Sequence, residues 1–135
     1  MPIRVVNPKT TSGQVYARVF VGPVDHFAQL AVNVAVLTTR EVDSDGYIKP
    51  GVPFLSTGAL VSAAGQVIWG VTPESIKVAN GNDAASLTAA GTIQLGVATI
   101  GQINRALSEA NLGAAYNANE LAAFGAAGCL IHLLQ

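Results

Sequence analysis

Few residues in this chain combine a reactive type with a useful spacing. Asp43-Ser-Asp45-Gly46 has the opening of a calcium loop, in which side-chain oxygens alternate along the chain and a glycine makes the sharp turn. Such a loop also needs later oxygen ligands and a closing bidentate Glu, and these do not follow at the required spacing, so a plain Asx turn is expected. Asp25-His26 has the composition of an acid–base pair. Neighbours on a strand point to opposite faces, however, and no recognisable motif surrounds the pair. Cys129 and His132 stand three apart on an expected strand, which also sets them on opposite faces and disfavours a thiol–imidazole site. Cys129 is read instead as a small buried hydrophobe. Gly91, Gly96 and Gly101 are too widely spaced for a phosphate-cradling loop and lack its Lys. The acidic residues are dispersed, so no two-carboxylate site is suggested. Trp69 could stack a ligand, but a lone Trp among Val67, Ile68 and Val71 is more often core or interface. No catalytic, metal-binding or cofactor-binding residue is assigned, no cofactor is expected, and the chain reads as a non-enzyme.

Composition points the same way. The 135 residues suit one domain with a core of its own. Half of them are hydrophobic and only 11% are charged, where about 25% is ordinary for a soluble domain. A small free monomer normally carries a charged skin, so this composition predicts that part of the surface is covered by partners, including copies of the same chain. The seven basic residues, Arg4, Lys9, Arg18, Arg40, Lys49, Lys77 and Arg105, are scattered. Without a run of them the electrostatic term of nucleic-acid binding is missing. The single Cys129 excludes an internal disulfide and speaks against a thiolate metal site. The longest near-apolar stretch, residues 27–37, contains Gln29 and Asn33 and is too short to span a bilayer; no membrane association is expected.

The elements that must carry any function fall into two parts. Residues 1–24 read as an extended arm with a first strand, since Pro2, Pro8 and Pro23 remove backbone donors and residues 15–21 alternate. In that strand Val15, Ala17, Val19 and Val21 share one face, and Tyr16, Arg18 and Phe20 share the other. Residues 25–135 read as a single β-rich domain. Residues 30–37 are almost continuously apolar and predict a strand buried on both faces. Turns are expected at residues 43–46, Pro50-Gly51, Gly65 and Asn80-Gly81, with strands at residues 58–61 and 67–71. Residues 92–98 alternate cleanly, with Ile93, Leu95 and Val97 facing in. Thr99-x-x-Gln102 predicts a capped helix with Ile100, Ile103, Leu107 and Ala110 on one face, ended by Asn111 and Gly113. Asn117-x-x-Glu120 predicts a second short helix carrying Leu121 and Phe124 and stopped by Gly128, before a closing strand over residues 129–134. The fold class is mainly β with minor α, an α+β chain built as a small β-barrel or β-tulip-like domain with two short helices near the C-terminus.

One group of motifs goes further. Gly46-Tyr-Ile-Lys-Pro-Gly-Val-Pro-Phe54, Gly58-Ala-Leu, Trp69-Gly-Val71 and residues 97–107 occur in that order, followed by a short helix and an apolar strand. Over residues 32–134 this order resembles the tailed-bacteriophage head decoration (capsid cement) proteins, the lambda decoration protein-like group. The resemblance implies a structural virion protein, made in the host bacterial cytoplasm, that binds the outer capsid surface and bridges neighbouring capsomers. The implied partners are the major capsid protein and other copies of the chain in a homotrimer, with no catalytic residues. On that reading Ile3, Arg4, Val5, Val6, Tyr16, Arg18 and Phe20 of the arm bind the capsid, using an added strand. Tyr47, Lys49, Pro50, Phe54 and Trp69 are expected at oligomer or capsid contacts. The alternatives are another virion component, such as a head–tail joining or tail protein, or a small β-barrel that binds a ligand or carbohydrate near Trp69.

Overall fold

A computed structural model describes residues 16–77 and 91–135. Ile3, Arg4, Val5 and Val6 of the arm and the Asn80-Gly81 turn lie outside the described residues.

The main sheet is built on two seven-residue strands, β1 (Phe27–Asn33) and β6 (Thr92–Ala98), paired antiparallel along their whole length from Phe27 opposite Ala98 to Asn33 opposite Thr92. The bounds of β6 coincide with the alternating stretch in the sequence. Leu95 and Val97 are fully buried, and Thr92 and Gln94 are exposed. β1 differs from its expectation. Leu30 and Val32 are buried while Gln29, Ala31 and Asn33 are more accessible, so the strand has one wet face. Residues 34–36 then leave the ladder as a short 3-10 turn, capped by the Asn33 side chain, which accepts the Ala35 N–H. The Asn33 amide offers the chain a local partner that a purely apolar run would lack, and this ends the strand early.

Between these strands the described residues form four short ones: β2 (Tyr47–Ile48), β3 (Pro53–Phe54), β4 (Gly70–Val71) and β5 (Ile76–Lys77). β4 pairs with both β6 and β3, giving the sheet order β1-β6-β4-β3, and β2 pairs separately with β5. Pro53 stands on the edge strand, where its missing N–H costs no ladder bond. Of the strand expected over residues 67–71 only Gly70 and Val71 pair, and residues 58–61 form none. Their backbone is used differently. The N–H and C=O groups of β1 that address β6 belong to the even-numbered residues, as the flanking bonds from Val34 N to Gly91 O and from Thr99 N to His26 O require. The carbonyl of Ala31 therefore faces the far edge, and Gly58 lies against it: a Cβ at Gly58 would stand 1.9 Å from that oxygen. Gly58 also has φ of +87°, a region in which glycine is favoured. The loop after β3 thus reaches the opposite edge of its own sheet, which curls into a half-barrel. The coarse expectation of a mainly β, barrel-like domain with two short helices holds.

β7 (Gly101–Asn104) follows β6 after a turn and pairs in parallel with the last strand, β8 (Ile131–Leu134). A parallel pair needs a crossover, and helices α1 (Arg105–Leu112) and α2 (Ala118–Phe124) supply it. Here the expected Thr99 cap is corrected. Residues 101–104 are strand, because Ile103 is held between Leu133 on one side and Phe20 on the other. The helix starts later, with the Asn104 side chain accepting the Leu107 N–H. Its buried face is accordingly Ser108, Asn111 and Leu112, and Leu107 is exposed. α1 ends at Gly113 with φ of +75°, as expected. The Asn117–Glu120 capping box forms in full. α2 closes at Gly125, three residues before the expected Gly128.

The core lies inside the curl. Phe54, Ile48, Val52, Val32, Val71 and Leu95 are inaccessible there, and Ile103 and Ile131 continue it under the helices. No helix among the described residues is long and apolar enough to cross a membrane.

Candidate interaction surface

The turn joining β6 to β7 is a short spine to which three other segments are hydrogen bonded. Thr99 N–H donates to the His26 carbonyl at 3.0 Å, Gly101 N–H to the Leu130 carbonyl at 3.2 Å, and the Gln102 carbonyl accepts the Val21 N–H at 2.9 Å. These bonds gather large apolar side chains that the fold leaves in water: Phe27 (58% exposed), Leu130 (54%), Val21 (50%) and Ile100 (41%). Val71 pairs with Ala98 in antiparallel register, which carries Trp69, 45% exposed, toward the same end of the sheet. Phe27 also lines a groove of about 380 Å³, whose wall includes Tyr16, Phe20, Val24, Pro50 and Pro73, with Arg18 and Glu74 as its charged members.

The sequence-derived contact residues divide accordingly. Trp69 is at the surface, and Arg18 is exposed with its guanidinium donating to the Gly22 carbonyl at 2.5 Å. Tyr16 and Phe20 are corrected: they are 8% and 4% exposed, packed into this chain's own fold rather than presented to a partner. The Tyr16 hydroxyl donates to Asp43 at 2.5 Å, and burial together with that carboxylate raises the phenol well above its ordinary range. Phe54 and Pro50 are likewise buried, Phe54 completely, because the curled sheet closes over β3. Tyr47 is half-buried with Lys77 5.6 Å above its ring. Lys49 reaches the carbonyls of Thr39 and Leu112, and its burial lowers the ammonium's affinity for its proton.

Phe27, Ile100 and Leu130 do not stand out in the sequence. Ile100 fits the buried face of a helix that begins only at Arg105, and Phe27 fits a stretch that reads as interior. The one available signal is Gly101 directly after Ile100, a residue that breaks the helical reading there.

Other groups with chemical potential are accounted for structurally. Asp43 forms the expected Asx turn, its Oδ1 accepting the N–H groups of Asp45 and Tyr47, with Gly46 at φ of +85°. Asp25 and His26 do meet, at 3.4 Å, contrary to the strand argument, because residues 25 and 26 precede β1; both are well exposed. Cys129 is buried and His132 is exposed on β8; burial pushes the Cys129 thiol up. No group of three His, Cys, Asp or Glu side chains gathers as a metal site among the described residues.

A second cluster, of buried polar groups, fixes the helices. The Tyr116 hydroxyl donates to the Gly51 carbonyl at 2.6 Å and also contacts the Ser108 hydroxyl. Arg40 forms a two-pronged pair with Glu120 and a further contact of 3.0 Å to Glu41. Arg105 and the Tyr116 N–H both bind Glu109. Burial pushes that carboxyl up, but the Tyr116 amide and Arg105 outweigh it and hold Glu109 below its usual value.

No protein-family profile, no curated protein and no solved structure matches this chain.

Proposed function

We propose that this chain is a non-catalytic structural virion protein with the β-tulip-like fold of the capsid decoration group, binding the outer surface of a phage shell and bridging neighbouring capsomers. The observation that carries the reading is the exposed apolar rim of Val21, Phe27, Trp69, Ile100 and Leu130. Large apolar side chains gathered at one end of a small domain, on a chain with 11% charged residues, support a face that is covered in the working state. A trimer would present three such rims at once, so weak single contacts would add to tight attachment.

The test is co-sedimentation with shells assembled from the major capsid protein of the same virus. Saturable pelleting is expected, reduced at least about tenfold by L130S or W69S, the size of effect that truncating one hot-spot side chain produces. Deleting residues 1–11 is also expected to weaken pelleting while leaving the fold intact. A full-length protein that never pellets with shells removes the reading, and a ring oligomer with that behaviour favours a head–tail joining or tail role. The ligand-binding alternative places its pocket at Trp69; the groove beside Phe27 does not include that residue.

A further inference from the structure

Residues 16–21 sit on the domain as a docked peptide would. Ala17 is clasped on both sides by one side chain: its N–H donates to Asn111 Oδ1 at 2.9 Å and its carbonyl accepts Asn111 Nδ2 at 2.7 Å. Further along, the Val19 carbonyl accepts the Asn104 N–H at 2.8 Å and the Val21 N–H donates to Gln102, with Phe20 opposite Ile103. Tyr16, Val19 and Phe20 are the buried anchors. This is strand addition to the edge of β7 that β8 leaves open.

The joint to β1 is slight by comparison. Residues 22, 23, 25 and 26 are exposed, and residue 24 is half-buried. Gly22 has φ of +80° with open space where a Cβ would stand, so conformation rather than room calls for glycine. The bend is closed by the exposed bond from Arg18 to the Gly22 carbonyl.

We propose that residues 16–21 are an exchangeable strand: the chain straightens at Gly22, and the segment seats on β7 and Asn111 of a second copy. The contacts are the same whether the segment is its own or a neighbour's, so the balance is set by the hinge and by the local concentration of copies. The five residues between Val21 and Phe27 reach about 17 Å when extended, enough to cross to an adjacent copy. The inference rests on the self-association in the reading above, not on the shell.

Val21 and Gln102 are both exposed and stand directly opposite each other in antiparallel register. Such positions have Cα atoms about 4.5–5.5 Å apart, within disulfide range. The full chain carrying V21C, Q102C and C129S is oxidised at high protein concentration and denatured in excess alkylating agent to stop thiol exchange, and the joined positions are read by peptide mapping. Linked dimers or larger species are expected on a non-reducing gel, with their share raised several-fold by G22V, because valine avoids positive φ. A 21–102 bond found only within single chains overturns the exchange. A second measurement uses unmodified protein, co-refolded from separately ¹³C- and ¹⁵N-labelled chains. Contacts between Phe20 of one label and Ile103 of the other are expected, and their absence also overturns the proposal. An internally locked chain that still pellets with shells would sink the exchange and spare the shell reading; an exchanged oligomer indifferent to shells would do the reverse.

Discussion

Inside the curl of β1, β6, β4 and β3 the contacts are apolar: Leu30, Val32, Phe54, Val71, Leu95 and Val97 meet without directional bonds. Where α1 and α2 meet residues 38–52 the buried contacts are polar and directional. Tyr116 donates to the Gly51 carbonyl, Arg40 donates to Glu120, and Lys49 donates to the last carbonyl of α1 at Leu112. The sheet half gains most of its stability from area removed from water, which tolerates repacking. The helical half buries Leu112, Tyr116, Ala123 and Phe124 as well, but it is attached in addition by polar groups that cost free energy when a partner is removed, and these make its position specific.

Substitutions can separate the two modes. F54A should lower unfolding free energy most, by about 3–5 kcal/mol, since it empties a fully buried aromatic site; chemical denaturation reads this, and a loss under about 1 kcal/mol would mean the sheet core is not the main source of stability. E120A removes the partner of Arg40 and one arm of the α2 capping box together. With the Arg40 side chain 21% exposed, water softens the loss to about 2–3 kcal/mol. Its signature should be early protease cleavage in α2 with the β1–β6 amides still protected from exchange. Y116F should cost about 1 kcal/mol, because Ser108 still reaches the Gly51 carbonyl. A cost as large as that of F54A would contradict the division between the two halves.

The smallest effect is one of pH. Glu109 is held below its ordinary value of 4.5 in the fold, so its contribution is present above that value and is lost as pH falls through the lower folded value. E109Q should therefore lower stability modestly at neutral pH, where the contribution is present, and flatten part of the acid side of the stability profile. At the other extreme Tyr16 has a raised phenol, so its contribution is present below its ordinary value of 10.0 and is lost as pH rises above it. Base should loosen residues 16–21 before the sheet.

The same division explains what the sequence makes legible. Features enforced within a few residues read correctly: the Asp43 turn, the Asn117–Glu120 box, the Gly113 stop and the full span of β6. Features set by distant partners do not. Residues 101–104 are strand only because β8 and Phe20 flank them. Tyr16 and Phe20 look like free arm residues until Asp43 and Ile103 are brought beside them. The bonds from Arg40 to Glu120 and from Tyr116 to Gly51 join positions 80 and 65 residues apart and leave no local periodicity. The rim is hidden for a related reason: Ile100 and Leu130 become neighbours only through the backbone bond between Gly101 and Leu130.

Glu120 holds two posts at once. One oxygen receives the Asn117 N–H that opens α2 and an Arg40 nitrogen from eighty residues earlier, and the other oxygen receives a second nitrogen of the same guanidinium. A seven-residue helix has little tendency to persist by itself in water. Because its starting signal is also its anchor, a change that frees Arg40 from Glu120 also weakens the first turn of α2.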